Sequence, residues 1–429
     1  MLDRSDALRR WTGLALLCLV GVIASTGQTL VSVLLQPIKA DLGFSDGTIG
    51  LVTGIAISIV GGLAAFPIAA AADRHGRRGV LAASIVAWSV AALAMGSAAS
   101  SMVFSAGVIF FNLGDAALLP LLYAMVPALF DDGRRHRANA ILVATLTACA
   151  FGVFAVGGLL LEVASRIEGL PIAPWRAVFI AVAVVGLSLV PALALLPPSA
   201  ASSTALAREA ADWDAYARFL RKDGRVALAV IGGLSVAYAG WLTASFWAPA
   251  MLQRRYGVPT AEAGISLGWA LALASLIGIA VAAPVLRRLT ATRGDAACLR
   301  LMATGACAAA LTALVLPFAT DAGIFIGALA VMAFAMSFLF TAAPLVLQTS
   351  SPERFRSRTI AFFPLLALGI RALALPIIGY FSDSRGGDGR ALVSAVTVLL
   401  VVCLPLAAVI FLRMEDRYRR YLAIDHGGR

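Results

Sequence analysis

"AADRHGRRGV", residues 71–80, interrupts a long apolar region with five ionisable residues, Asp73, Arg74, His75, Arg77 and Arg78. The blocks on either side, 47–72 and 79–98, carry no charge. At 1.5 Å rise per residue, an uncharged block of this length spans the roughly 30 Å hydrocarbon layer of a membrane as a helix. Two antiparallel helices joined across residues 73–78 need a tight turn, and Gly76 can supply it with a positive φ. Asp73 is the odd member, because a carboxylate at a helix C-terminus opposes the helix dipole. It needs an arginine or the positive end of another helix, and a contact that forms and breaks as helices rock is a gate.

The same pattern continues outward through the chain. Of its 429 residues 61 % are hydrophobic and 13 % charged, too few charges for a water-exposed surface of ordinary polarity. Uncharged blocks predict twelve spans, at 11–35, 47–72, 79–98, 102–126, 138–161, 177–197, 226–250, 263–286, 301–319, 323–345, 359–381 and 391–412. With both termini placed in the cytoplasm, 26 of the 34 Lys and Arg residues lie inside and 7 outside, leaving Arg371 within a span. The positive-inside rule therefore orients the chain. The net charge of +11 is mostly this asymmetry and makes no case for nucleic acid.

Several function classes drop out. The five cysteines lie in or beside spans without paired spacing, so neither a disulfide framework nor a zinc site is indicated. His75, His136 and His426 are too scattered for a metal cluster, and no Walker-type phosphate loop is present. No cofactor is expected. A membrane-embedded transferase would need a convergent His, Asp or Ser constellation, and none is evident.

Six spans precede a polar segment and six follow it. Arg135, Arg137 and Ile141 before span 5 recur as Arg354, Arg356 and Ile360 before span 11, each at an offset of 219. The expected organisation is an N-terminal six-helix bundle (1–197), a cytoplasmic linker (198–225) and a C-terminal six-helix bundle with its tail (226–429). In the linker, Leu206, Trp213 and Leu220 are seven apart with Tyr216 between them, while the charged residues lie elsewhere on the wheel. That describes an amphipathic helix at the membrane surface or against the bundles, ending near Gly224.

Asp115 stands alone between the uncharged runs 79–114 and 116–130. Arg371 sits about 18 Å along span 11. Charges at such depth are costly, so a functional role is the default reading. By helical spacing Asn112 and Tyr123 share a face with Asp115, and Tyr238, Trp241 and Ser245 share a face of span 7. Aromatics at this spacing serve packing more often than binding.

The ordered Asp73-Arg74-x-Gly76-Arg77-Arg78 resembles the signature of the major facilitator superfamily in the loop between helices 2 and 3, with Ala69 in place of its first glycine. Within it, the chain looks most like the spinster-like, lipid-transporter-related branch. Ile38-Lys39-x-Asp41-Leu42-Gly43-x-Ser45-Asp46, Trp88-Ser89, Gly114-Asp115 with Pro120, Trp175-Arg176, Trp247-x-Pro249 with Leu252, Arg254 and Gly257, and Gly379-x-x-Ser382-Asp383 carry that resemblance. It implies an all-α fold of two six-helix bundles, with helices 1, 4, 7 and 10 lining a central cavity. Gln28 of span 1 then joins the cavity set.

The resemblance matches Asp115 to a helix 4 glutamate associated with proton coupling. The branch's Asp-Arg pair in helix 1 corresponds here to Gly27-Gln28, and an arginine seven residues before the helix 4 acid corresponds to Val108. Three readings of the surviving charges stay open. Asp115 carries a proton while Arg371 recruits an anion; or the two pair transiently as a gate; or they form a static salt bridge, with Arg371 alternatively reaching backbone carbonyls.

The resulting expectation is a monomeric alternating-access secondary transporter, not an enzyme, in the inner membrane of a bacterium with both termini cytoplasmic. The bacterial source is read from the preference for Arg over Lys. Its partners would be protons and an amphipathic, lipid-like or organic-anion small molecule. The alternatives are an uncoupled facilitator of the same fold and a non-transporting membrane receptor, the latter opposed by the lack of any long soluble loop.

Overall fold

A computed structural model describes residues 4–56, 60–116, 118–130, 132–197, 213–222 and 224–427. Among them the chain is all α-helical, because backbone N–H and C=O groups facing lipid must be satisfied within each segment. In order, the N-terminal helices are α1 (Arg4–Ala24), α2 (Thr26–Val33), α3 (Leu35–Leu42), α4 (Asp46–Ile55), α5 (Gly61–His75), α6 (Arg77–Gly96), α7 (Ser101–Asp115), α8 (Leu118–Leu129), α9 (Asp132–Ser165) and α10 (Pro174–Ala192). They are followed by α11 (Trp213–Lys222), α12 (Arg225–Tyr256), α13 (Thr260–Arg293), α14 (Cys298–Ala313), α15 (Ala322–Thr349), α16 (Arg356–Ser384) and α17 (Gly389–Gly427).

Nine helices among the described residues are long and apolar enough to cross a membrane, or ten if the pair Arg137–Leu146 and Cys149–Ser165, bent by 47°, counts as one span. Within the expected spans 47–72 and 102–126 the described residues form α4 and α5, and α7 and α8.

Packing divides the chain into two compact units, Met1–Arg208 with Pro259–Gly268, and Glu209–Val258 with Trp269–Arg429. In the first unit α6 packs against both α7 and α10. Phe104 lies edge-on to Trp175 and Phe179, with ring centroids 6.0 and 5.9 Å away. In the second unit α12 lies along α17 and α16, and α14 along α15 and α17. Large apolar side chains such as Phe110, Val184, Leu373 and Val398 face outward, as they must on a lipid-facing wall.

The linker helix α11 falls within the second unit. Tyr216 and Phe219 pack on Phe355 at the start of span 11, with Tyr216 only 1 % exposed. Burial pushes the Tyr216 phenol above its ordinary range; it stays protonated and donates to the Thr359 hydroxyl at 3.2 Å. Leu206 of the expected apolar stripe lies outside the described residues.

Candidate functional site

Asp115 is the last residue of α7, and α8 begins at Leu118. Gly114 beside it permits the close approach of α6, since a Cβ at 114 would stand 2.8 Å from the Trp88 backbone nitrogen and 3.1 Å from the Ser84 carbonyl oxygen. Asp115 is partly buried and makes no hydrogen bond or ion pair among the described residues. Asn112, one turn earlier, is buried and gives its side-chain amide to the Val108 carbonyl at 2.8 Å. Tyr123 lies on α8 and is 40 % exposed. The side chain of Gln28 lies outside the described residues.

Gly27 and Val108, which stand where the resemblance expected charges, line one small void together with Val31, Thr53, Phe111 and Asn112. The Phe111 ring occupies the place of a side chain at 27, where a Cβ would fall 2.0 Å from it. Apolar packing has thus replaced charge around α7. Thr53 is a polar group that sequence reasoning did not single out: it is buried on the same void with its hydroxyl unpartnered. No signal in the sequence separates it from the other hydroxyl residues of the spans.

In the second unit Arg371 is 6 % exposed on α16. Its Nε is buried without a partner, and among the described residues it forms no hydrogen bond or ion pair. Tyr238 sits against Phe340 and Phe363, with centroids 5.3 and 5.6 Å away, two rings the sequence reading did not include. Trp241 is buried, and Ser245 donates to the Trp241 carbonyl at 2.9 Å.

At the quoted turn Gly76 has φ +89°, the conformation expected of it. Arg77 donates to the Ala124 carbonyl at 2.8 Å and Arg78 to the Leu196 carbonyl at 3.2 Å. Those bonds tie the turn to α8 and to the end of α10, while Arg74 is exposed. The Asp73 side chain lies outside the described residues. A groove of about 490 Å³ opens beside the turn between His75, Arg78 and Pro191.

The loop residues of the resemblance form a second network. Asp41 accepts from Trp175 Nε1 and Arg176 Nε, both at 3.0 Å, and Arg176 also reaches the Gly96 and Ala98 carbonyls at the end of α6. Lys39 pairs with the fully buried Asp46. This network holds helix ends together. No group of three or more His, Cys, Asp or Glu residues among those described is arranged to hold a metal.

Comparison with known proteins agrees with this architecture. An MFS-type efflux pump of Mycolicibacterium smegmatis is 26 % identical over 424 residues, covering 97 % of this chain and 95 % of the relative. The crystal structure of a bacterial homologue of the human lysosomal transporter Spinster superposes with a TM-score of 0.74, at 21 % identity and 97 % coverage of both chains. The nucleoside transporter NupG gives the same TM-score at 14 % identity, with 94 % of this chain and 99 % of that one covered. The Major Facilitator Superfamily model matches residues 17–370. With that match over a carboxylate at the end of α7, a glycine-turned basic loop and a wall of lipid-facing helices, the chain belongs to the Major Facilitator Superfamily, as a multi-pass secondary transporter of alternating-access fold and not an enzyme.

Proposed function

We propose that this protein couples proton movement to the export of an amphipathic, lipid-like or organic-anion small molecule across a bacterial inner membrane. The observation that carries the reading is Asp115, an isolated carboxylate at the end of α7 with no partner among the described residues. A carboxylate in a poorly solvated site gains a proton more readily than one in water, which suits a group that must load and release it in turn. Export is favoured by the name of the M. smegmatis relative, an efflux pump. The remaining parts of the reading are twelve spans in two six-helix bundles, cytoplasmic termini, a monomer, Arg371 as a substrate or gate charge, and the Asp73–Arg78 turn as the cytoplasmic gate.

Asp115→Asn is expected to abolish accumulation driven by a pH gradient in proteoliposomes while sparing substrate binding and exchange. Gradient-driven uptake at the parental rate would end the coupling role. A second reading, an uncoupled facilitator, is favoured by the apolar packing of Gly27, Val108 and Phe111 around α7. It predicts that the parent itself never accumulates substrate. For the gate, Asp73→Asn should slow transport more than it lowers the folded yield, because a gate contact shifts the balance between two states whereas a fold contact supports both. Equal losses of rate and yield would mark the turn as structural only.

A further inference from the structure

We propose that residues 345–363, the turn joining α15 to α16 with the adjoining helix ends, form a hinged flap in the second unit, held shut by two tyrosine catches, Tyr216 of α11 and Tyr418 of the α17 tail. Its hinges are prolines inside helices. Pro344 in α15 has no N–H for the Phe340 carbonyl, and Pro364 in α16 has none for the Ile360 carbonyl, so each helix is weakened where the flap begins. At the second hinge the Ser235 hydroxyl of α12 donates to the Phe363 carbonyl at 3.0 Å, which fixes where the static part of α16 starts. Between the hinges the two arms are tied to each other. Arg356 Nε donates to the Gln348 carbonyl at 3.0 Å, and the Thr359 hydroxyl donates to the Ser351 hydroxyl at 2.9 Å. With those bonds crossing from arm to arm, the flap moves as one piece.

Each catch ends on a threonine of a different arm. Tyr216 donates to the Thr359 hydroxyl at 3.2 Å, and the rings of Tyr216 and Phe219 lie against Phe355, with centroids 5.6 and 5.1 Å away. Tyr418 meets the Thr349 hydroxyl, whose own proton goes to the Leu345 carbonyl at 2.7 Å, so the tyrosine is the donor. Tyr216, Tyr418, Ser351 and Thr359 are each at most 4 % exposed, so water does not compete for these bonds. Both tyrosines stand on posts outside the flap. Helix α11 also packs on Ala227 of α12, and the tail is pinned to α14 by Arg300 Nε on the buried Glu415 at 2.5 Å. A hydroxyl-to-hydroxyl bond is weak enough to break and re-form in a transport cycle, whereas the charge-assisted pair under the tail is stronger. Since α11 is the linker helix, its docking sets how readily the flap opens.

The test is amide hydrogen exchange, read by mass spectrometry on the purified full-length protein in detergent, since exchange reports local opening. Tyr216→Phe and Tyr418→Phe each keep the ring and lose one hydrogen bond. In both, exchange should rise roughly twofold to tenfold across both arms, 345–350 and 356–363, including the arm that the altered side chain does not touch. The double variant should show roughly the product of the two increases. Exchange in 323–340, beyond Pro344, should stay at the parental rate. Pro364→Ala, which supplies a donor for the Ile360 carbonyl, should slow exchange in the flap. An increase confined to the touched arm, or none in either single variant, would overturn the flap. So would an equal rise in 323–340, which would reduce the tyrosines to general packing, and so would parental exchange in Pro364→Ala, which would remove the hinge. None of these readings needs a substrate or a pH gradient, so failure of the proton-coupling proposal leaves them unchanged.

Discussion

At position 114 a hydrogen in place of a methyl group is what lets α7 touch α6. The atoms a Cβ would meet at 2.8 and 3.1 Å belong to the backbone of Trp88 and Ser84, and backbone cannot rotate aside as a side chain can. Gly114→Ala should therefore separate the helices at a cost of about 1–3 kcal/mol and displace the neighbouring Asp115. The melting midpoint in detergent should fall by several degrees. Gly232→Ala on α12 is the matched control, with no heavy atom within 4 Å of the added carbon. There the substitution should be neutral or stabilising, since alanine in a helix interior is favoured by roughly 0.5–1 kcal/mol. Equal midpoints for the two variants would refute the close-approach account. Asp115 was conspicuous in sequence because it is one charge among uncharged neighbours; the Trp88 contact was not, because it depends on which helix lies alongside.

Among the elements, α11 and the paired helix ends are the informative ones. Gly43 ends α3 with φ +68° and gives its N–H to the Lys39 carbonyl at 3.0 Å, while Gly257 ends α12 with φ +67° and bonds Gln253 at 3.1 Å. The same left-handed cap closes corresponding helices of both halves. An arginine then holds a neighbouring helix end in each unit, Arg176 on the Gly96 and Ala98 carbonyls and Arg255 on the Leu316, Pro317 and Ala319 carbonyls. For α11, Tyr216→Phe should cost only the Thr359 bond, about 0.5–1.5 kcal/mol. Tyr216→Ala also loses the packing on Phe355, about 3–5 kcal/mol by analogy with aromatic truncations in cores. Limited trypsin digestion at Arg218 and Arg221 should be little changed in the first variant and much faster in the second. Equal rates in all three proteins would mean that α11 is not held by this contact.

For the molecule as a whole, orientation is the testable property. Reporter fusions after Arg137 and within 198–225 should report cytoplasm, and fusions near Glu168 and Asp388 should report the opposite side. The 26-to-7 division of basic residues makes this order strongly favoured, and reversal at any one point would overturn the span map. The sequence by itself determined that the chain is helical, crosses a membrane many times and carries the superfamily's basic turn. Hydropathy, charge asymmetry and a glycine turn are local properties that add along the chain, so they can be read without partners. Only the tertiary structure decided that α11 packs on Phe355, that Phe111 fills the place beside Gly27, and that Phe340 and Phe363 pack on Tyr238. Each depends on residues up to about 140 positions apart being brought within a few ångströms. Burial, not sequence spacing, decides what such side chains cost and therefore what they can bind.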